Sequence, residues 1–238
     1  MANQETSVSK ITRPYLFRNT TLMTELPEKD LQFIHEHAKP KSLKRGEILF
    51  KQDTTVRSIV WLINGKAKIL QETPGGQKQT VYIYSDGDLI GYRQLIAGEV
   101  HPVSAVLLED STVILIPGTV FKTLLDQSPP FARSMLTALS RDFTVWMNRT
   151  TVFTKYPVRH RLILALLILL DQYEHSGTPK GVITITRTEL AQYVGASLET
   201  VVRELNKLKS KNLVEVSGRR ILINDTSELV GMLEGEEV

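Results

Sequence analysis

The sequence predicts an α+β chain in three successive parts: an antiparallel β-domain, one long helix, and a smaller helical domain that closes on a hairpin. Three observations carry this. Short β-rich runs separated by turn residues fill residues 42–118. After Pro129 and Pro130, large apolar residues recur at alternating spacings of three and four. Two short helix signals then flank Gly195, and two β-rich runs follow them. A length of 238 residues fits one large or two medium domains.

Residues 1–25 are polar with few periodic cues and are expected to form a loosely held arm. "LPEKDLQFIHEHAK" (Leu26–Lys39) has helical spacing and a capping pattern near its start. "SLKRGEILFKQ", "SIVWLINGKAKILQE", "KQTVYIYSDGDLIG" and "PVSAVLLEDSTVILIP" read as strands. Asn64-Gly65, Pro74-Gly75-Gly76 and Asp86-Gly87 punctuate them as turns. The β-domain is placed at 26–128, as a sandwich or barrel.

The long helix is placed at 129–154. Leu136, Leu139, Phe143, Trp146, Thr150 and Phe153 form its seam. Either the helix pairs with its twin in a dimer, or it packs on its own β-domain. Trp and Phe on one narrow stripe are costly to expose, which favours the dimer. "TKYPVRH" (Thr154–His160) marks a boundary, with Pro157 suited to a helix start. The most apolar run, "RLILALLILLDQY" (Arg161–Tyr173), is too short to span a bilayer and reads as a core helix. "GVITIT" is a short strand, and "NLVEVSGRRILIND" a hairpin around Ser217-Gly218-Arg219. The last domain is placed at 155–238.

The chain has no cysteine. Disulfides, thiolate catalysis, iron–sulfur clusters and Cys-ligated zinc all require one. With no signal-peptide layout at the N-terminus and no membrane span, a cytoplasmic location is expected. Residues 155–223 carry eleven Lys and Arg against six Asp and Glu; residues 224–238 carry five acids and no base. A basic segment followed by an acidic tail suits a polyanionic partner, although a solvated helix face produces the same charge pattern.

The sharpest motif is "TRTELAQYVGASLETVVREL" (Thr186–Leu205). Thr186 and Glu189 form a capping box, Gly195 suits a left-handed turn, and Ser197 is a good N-cap. A small residue, Gly four positions on and an apolar residue six further (Ala191, Gly195, Val201) have the spacing of a helix-turn-helix. A second helix over 198–211 fits the major groove of double-stranded DNA. Arg203 can donate twice to guanine, and Glu199 can accept from a cytosine amino group. Ser197, Thr200 and Lys207 suit phosphates, and Arg219 and Arg220 on the hairpin suit the DNA backbone.

In these residues the chain resembles the Crp–Fnr family of bacterial transcription regulators. The likeness runs from about Leu26 to Ile223 and includes "RGEILFKQ…VWLINGKAKI…YSDGDLIG", the long helix and the E-T-V-x-R order. It implies a cyclic-nucleotide-binding-like β-roll, a dimerisation helix contributed by Leu136, Leu139, Phe143, Trp146 and Phe153, and a winged helix-turn-helix. It also implies a homodimer on a palindromic operator containing a G·C pair, and RNA polymerase as a further partner. Glu199 and Arg203 match the family's base-reading pair. Leu198 and Val202 stand at positions that vary between family branches. Glu204 stands where an apolar residue is more usual.

The effector is not fixed by the resemblance. Members that bind cyclic nucleotides carry Gly-Glu-Leu followed by Arg-Ser. Here Gly87-Asp88-Leu89 is followed by His101-Pro102 at the matching place. The expected effector region holds Gly87, Asp88, Leu89, Arg93 and Ser104. Without the guanidinium a cyclic phosphate loses a strong charge-assisted pair, which argues against cAMP. The glycine of the family's Q-G-D turn is missing, since Gln52 precedes Asp53 directly. Iron–sulfur sensing is closed by the absence of cysteine. Haem would need an axial ligand from His35, His37, His101, His160 or His175, and ordinary histidines are expected instead.

Other classes fit less well. A signalling module whose last domain binds protein would show exposed aromatics on that helix rather than Glu, Thr, Arg and Lys. An enzyme would show a nucleophile elbow, a Gly-rich phosphate loop or H-E-x-x-H, and the sequence has none of them.

Overall fold

The computed structural model describes residues 7–174 and 179–235. In chain order the first elements are α1 (Ser7–Thr12), α2 (Thr21–Thr24), α3 (Glu28–His37), β1 (Pro40–Leu43), β2 (Ile48–Phe50), β3 (Ser58–Asn64) and β4 (Ala67–Glu72). Then come β5 (Lys78–Tyr84), β6 (Leu89–Ile90), α4 (Tyr92–Ala97), β7 (Ser104–Leu107), β8 (Ser111–Pro117), α5 (Gly118–Gln127) and α6 (Pro129–Lys155). The last are α7 (Val158–Glu174), β9 (Val182–Thr184), α8 (Arg187–Val194), α9 (Leu198–Ser210), β10 (Val214–Ser217), β11 (Arg220–Ile223) and α10 (Thr226–Glu234). The chain divides into two compact units, one of residues 17–143 and one of residues 1–16 with 144–238.

The first unit contains two antiparallel four-stranded sheets, ordered β1-β8-β3-β6 and β2-β7-β4-β5. Ile59 and Leu62 of β3 are fully buried. Three residues apart on a strand, they point to opposite faces, so β3 is covered on both sides, and Ile59 is the one that joins the core below. Leu22, Ile34, Leu89, Phe121 and Phe131 complete a core drawn from α2, α3, β6, α5 and α6. Gly65, at φ +106°, is needed where β3 meets β4: a Cβ there would lie 2.0 Å from Ser111 Oγ. At the glycine-less turn Asp53 itself takes φ +62°, a conformation that short polar side chains tolerate. The capping pattern expected before α3 does not form. Its N-cap is Pro27, which has no side-chain acceptor.

The second unit is built around α7. Leu162 to Leu170 are each no more than 7% exposed. A helix apolar on every side must be covered on every side, and each Leu or Ile so buried stabilises by about 1.5–3 kcal/mol. α1 and α10 pack on α7, as do α8, α9 and β9. Tyr173 Oη donates to Thr184 O at 2.6 Å, joining α7 to β9. The three-stranded sheet runs β10-β11-β9.

Two expectations change here. From Ser7 onward the described N-terminal residues are not a loose arm. Val8 and Thr12 are buried, Ser9 Oγ donates to Asp171 Oδ1 at 3.3 Å, and Asn148 Nδ2 donates to Pro14 O at 2.9 Å. Their polarity hid them, because small hydroxyls can be buried once they are hydrogen-bonded. The acidic segment is helical over α10. Asp225 caps it by accepting from Glu228 N, and Leu229 and Val230 are buried.

α6 carries two neighbouring stripes. Phe131, Met135, Ala138, Asp142, Val145, Arg149 and Val152 alternate spacings of four and three, and all are buried. Leu136, Phe143, Trp146 and Met147 remain exposed, Leu136 and Phe143 by 66% and 67%. Of the seam residues read from the sequence, Leu139 packs against the core of the first unit. Phe153 lies with its ring centroid 5.7 Å from the Arg149 guanidinium carbon.

Candidate nucleic-acid interface and effector turn

The helix-turn-helix forms as its local chemistry dictates. Thr186 accepts from Glu189 N at 3.1 Å, while Glu189 Oε2 accepts from Thr186 N at 2.9 Å. Leu190, Ala191, Tyr193 and Val194 of α8 are buried. Gly195 ends the helix at φ 67° and ψ 47°, a left-handed cap that favours glycine. Arg161 donates to the carbonyls of Val194 and Gly195, both at 3.0 Å, which satisfies the end of α8. Sequence reasoning missed this residue, since only the fold brings it there.

α9 starts at Ser197, whose Oγ accepts from Thr200 N at 3.2 Å. It buries Val201, Leu205 and Leu208. At 100° per residue, Glu199 and Arg203 fall on the opposite face, one turn apart. Ser197, Glu199 and Arg203 are exposed and Thr200 is half-buried. The Lys207 side chain is 62% exposed. β10 and β11 pair as a hairpin through Ser217↔Arg220. Arg219 and Arg220 at its tip are exposed. The α9 residues thus share one unit with a basic wing, with bidentate donor and acceptor groups directed away from the core.

The expected effector residues are placed otherwise. Asp88 is 1% exposed. Its Oδ1 accepts from Asn19 N at 3.1 Å and its Oδ2 from Ser85 N at 2.9 Å. Burial pushes its carboxyl up to about 7, against the backbone donors, which pull it down. Gly87, at φ +85°, faces Thr20, whose Cγ2 would lie 2.9 Å from an added Cβ. Leu89 is buried and hydrogen-bonded on both sides to the Asn19 side chain. Arg93 Nη2 donates to Tyr84 Oη at 3.4 Å, and its Nη1 lies 3.9 Å from Asp142 Oδ2. That same oxygen accepts from Tyr92 Oη at 2.6 Å. Ser104 Oγ accepts from Gln52 N at 2.9 Å.

These residues do not fit a cyclic nucleotide. Asp88 is 1% exposed, and each of its oxygens already accepts from a backbone N–H group. At the place of the phosphate-binding Arg stands His101, 2% exposed and stacked on Phe50 with ring centroids 3.8 Å apart. Burial lowers its pKa, which disfavours the charged ring that would attract a phosphate. Arg93 is turned to Tyr84 and Asp142.

For a haem, His35 neighbours Trp61, and His37 Nδ1 is 2.8 Å from Phe33 O. His160 is buried beside Tyr156. His175 lies outside the described residues. Among the described residues no group of three or more His, Asp and Glu is arranged to hold a metal ion, and no helix is long and apolar enough to cross a membrane.

Comparison with known proteins agrees with this architecture. Residues 40–128 match the family model of the cyclic nucleotide-binding domain, and residues 160–232 that of the Crp-like helix-turn-helix domain. The chain is 27% identical over 229 residues to the fumarate and nitrate reduction regulatory protein of Vibrio cholerae, covering 95% of this chain and 88% of the relative. It is 26% identical over 218 residues to the transcriptional activator protein anr of Pseudomonas aeruginosa, covering 90% and 89%. Two solved structures share the fold. FixK2 from Bradyrhizobium japonicum has a TM-score of 0.70 at 19% identity, over 81% of this chain and 95% of that one. The c-di-GMP responsive global regulator CLP from Xanthomonas campestris has 0.71 at 20%, over 84% and 100%. The family is one of transcription regulators rather than enzymes, and its members bind DNA and act as dimers. With a β-domain and a helix-turn-helix domain that both match, the chain belongs to the Crp–Fnr family and is a DNA-binding transcription regulator of that type.

Proposed function

We propose that the protein is a cytoplasmic homodimer that reads a palindromic operator with α9 in the major groove. Glu199 and Arg203 read a G·C pair in each half-site, Ser197, Thr200 and Lys207 hold phosphates, and Arg219 and Arg220 lie on the backbone. The observation that carries this is the exposure of Glu199 and Arg203 on the face of α9 opposite Val201, Leu205 and Leu208. The exposed stripe of Leu136, Phe143, Trp146 and Met147 supports a dimer through α6. The working division is a β-roll at 26–128, a dimerisation helix at 129–154 and a DNA-reading domain from 155.

The binding of Asp88, His101 and Arg93 within the chain argues that the β-roll operates without cyclic nucleotide. The absence of cysteine excludes a Cys-ligated cluster. RNA polymerase is the further partner expected of such a regulator.

Selection of bound duplexes from a random pool tests the reading. It predicts two-fold symmetric sites with half-sites one helical turn apart, or a multiple of it, each containing the G·C pair. Selected sites without two-fold symmetry would sink it.

A further inference from the structure

Glu204 stands on α9 beside the residues that meet DNA, yet it is an acid. Its side chain is only 11% exposed, against 59% for Arg203 and 62% for Lys207. Its Oε1 accepts from Lys207 Nζ at 2.7 Å and lies 3.9 Å from Arg203 Nε. On the helical wheel it sits at the rim between the buried stripe of Val201, Leu205 and Leu208 and the side that presents Arg203 and Lys207. The cleft beside it, about 200 Å³, is also walled by Arg159, Lys207 and Lys211, and Glu204 is the single acid among its described lining residues. A carboxylate so placed is screened less than one in open solvent, because water is kept from much of its surface.

We infer that Glu204 is a specificity-determining positioning residue. In the DNA-free protein it takes the place a phosphate would hold against Lys207 and steadies Arg203, and so restrains binding to DNA of any sequence. This rests on the reading of α9 as the DNA-reading helix. Non-specific affinity comes almost wholly from cations on phosphates, each contact releasing about one counterion. A Lys already neutralised within the protein contributes less to that affinity. The loss at Lys207 falls on operator and random DNA alike, whereas Arg203, steadied by Glu204, gains base-edge contacts only on the operator, so the pairing raises the ratio of operator to random binding.

The test uses the full chain, a selected operator and a random duplex, with affinities followed by fluorescence anisotropy across a salt series. Glu204→Gln keeps the shape and removes the charge. Random-duplex affinity should rise roughly fivefold at 0.15 M salt, the slope of log K against log salt should steepen by about 1, and the operator-to-random ratio should fall. In a Lys207→Gln background the gain should shrink by at least half. Glu204→Leu serves if the Gln variant does not fold, with the same expectation. Unchanged random affinity and slope overturn the inference, and so does a gain undiminished without Lys207. Arg203→Ala in the same series separates the two readings. If it relaxes operator preference while Glu204→Gln changes nothing, only the role of Glu204 falls. If the unaltered protein shows no salt-dependent binding and Arg203→Ala has no effect, the reading of α9 falls with it.

Discussion

The side-chain amide of Asn19 closes on the peptide group of Leu89 from both ends. Its Oδ1 accepts from Leu89 N at 2.7 Å, and its Nδ2 donates to Leu89 O at 2.8 Å. Among the described residues β6 has β3 as its only sheet neighbour, so Asn19 stands where the next strand would be. Both partners are buried, at 2% and 0% exposure. Asn19→Ala should cost roughly 1–3 kcal/mol for each backbone group left without a partner. Urea unfolding read as a shift in midpoint at constant slope checks this.

Asp88, bonded to the same Asn19, makes stability depend on pH. Its folded pKa of about 7, raised first by burial, exceeds that of an unfolded Asp at about 3.9. The folded state therefore holds this proton more tightly. The contribution is complete below about pH 4, is lost as pH rises to about 7, and is level above that. Asp142, also raised by burial, acts in the same direction. The unfolding free energy of Asp88→Asn minus that of the unaltered protein should therefore grow between pH 5 and 7. A difference flat over that range would show that Asp88 is charged throughout.

Arg203→Ala should weaken operator binding by roughly 1–3 kcal/mol and relax preference at one base pair. Anisotropy titrations with single-base operator variants show which position is lost. Equal weakening on every sequence would reduce Arg203 to a phosphate contact.

The two stripes of α6 should separate in mutagenesis. Phe143→Ala with Trp146→Ala should shift the protein toward monomers in sedimentation and leave the fold intact. Met135→Ala, at a site 1% exposed, should instead cost about 2–5 kcal/mol of stability. A Phe143/Trp146 variant that stays fully dimeric would remove the exposed stripe as an interface.

Much of this was legible because local chemistry wrote it. Thr186, Glu189, Gly195 and Ser197 form their caps with neighbours within four residues, so spacing alone reveals them. The strands follow from β-rich runs and Gly turns. Pairings across long sequence distances left no such trace. Asn19, Thr12, Asp171, Tyr92 and Asp142 are ordinary polar residues until the fold brings Asn19 to the Leu89 peptide, Thr12 to Asp171 and Tyr92 to Asp142. The seam of α6 was harder for another reason. Two stripes one residue apart share the same heptad spacing, and periodicity cannot say which of them the chain buries for itself. Arg149 and Asp142 lie within the buried stripe, so its polar members concealed it.

The N-terminal segment also changes how the chain is wired. The backbone leaves the DNA-reading unit between Leu16 and Phe17 and re-enters it between Phe143 and Thr144. In gene order the β-unit is therefore an insert inside the other unit. A fragment beginning at Thr144 would lack Val8 and Thr12, which are buried in that unit. A single protease cut at either crossing leaves the two units covalently joined, and two cuts are needed to part them. Hybrids with relatives must therefore exchange residues 1–16 together with the C-terminal half, since the insert has two seams.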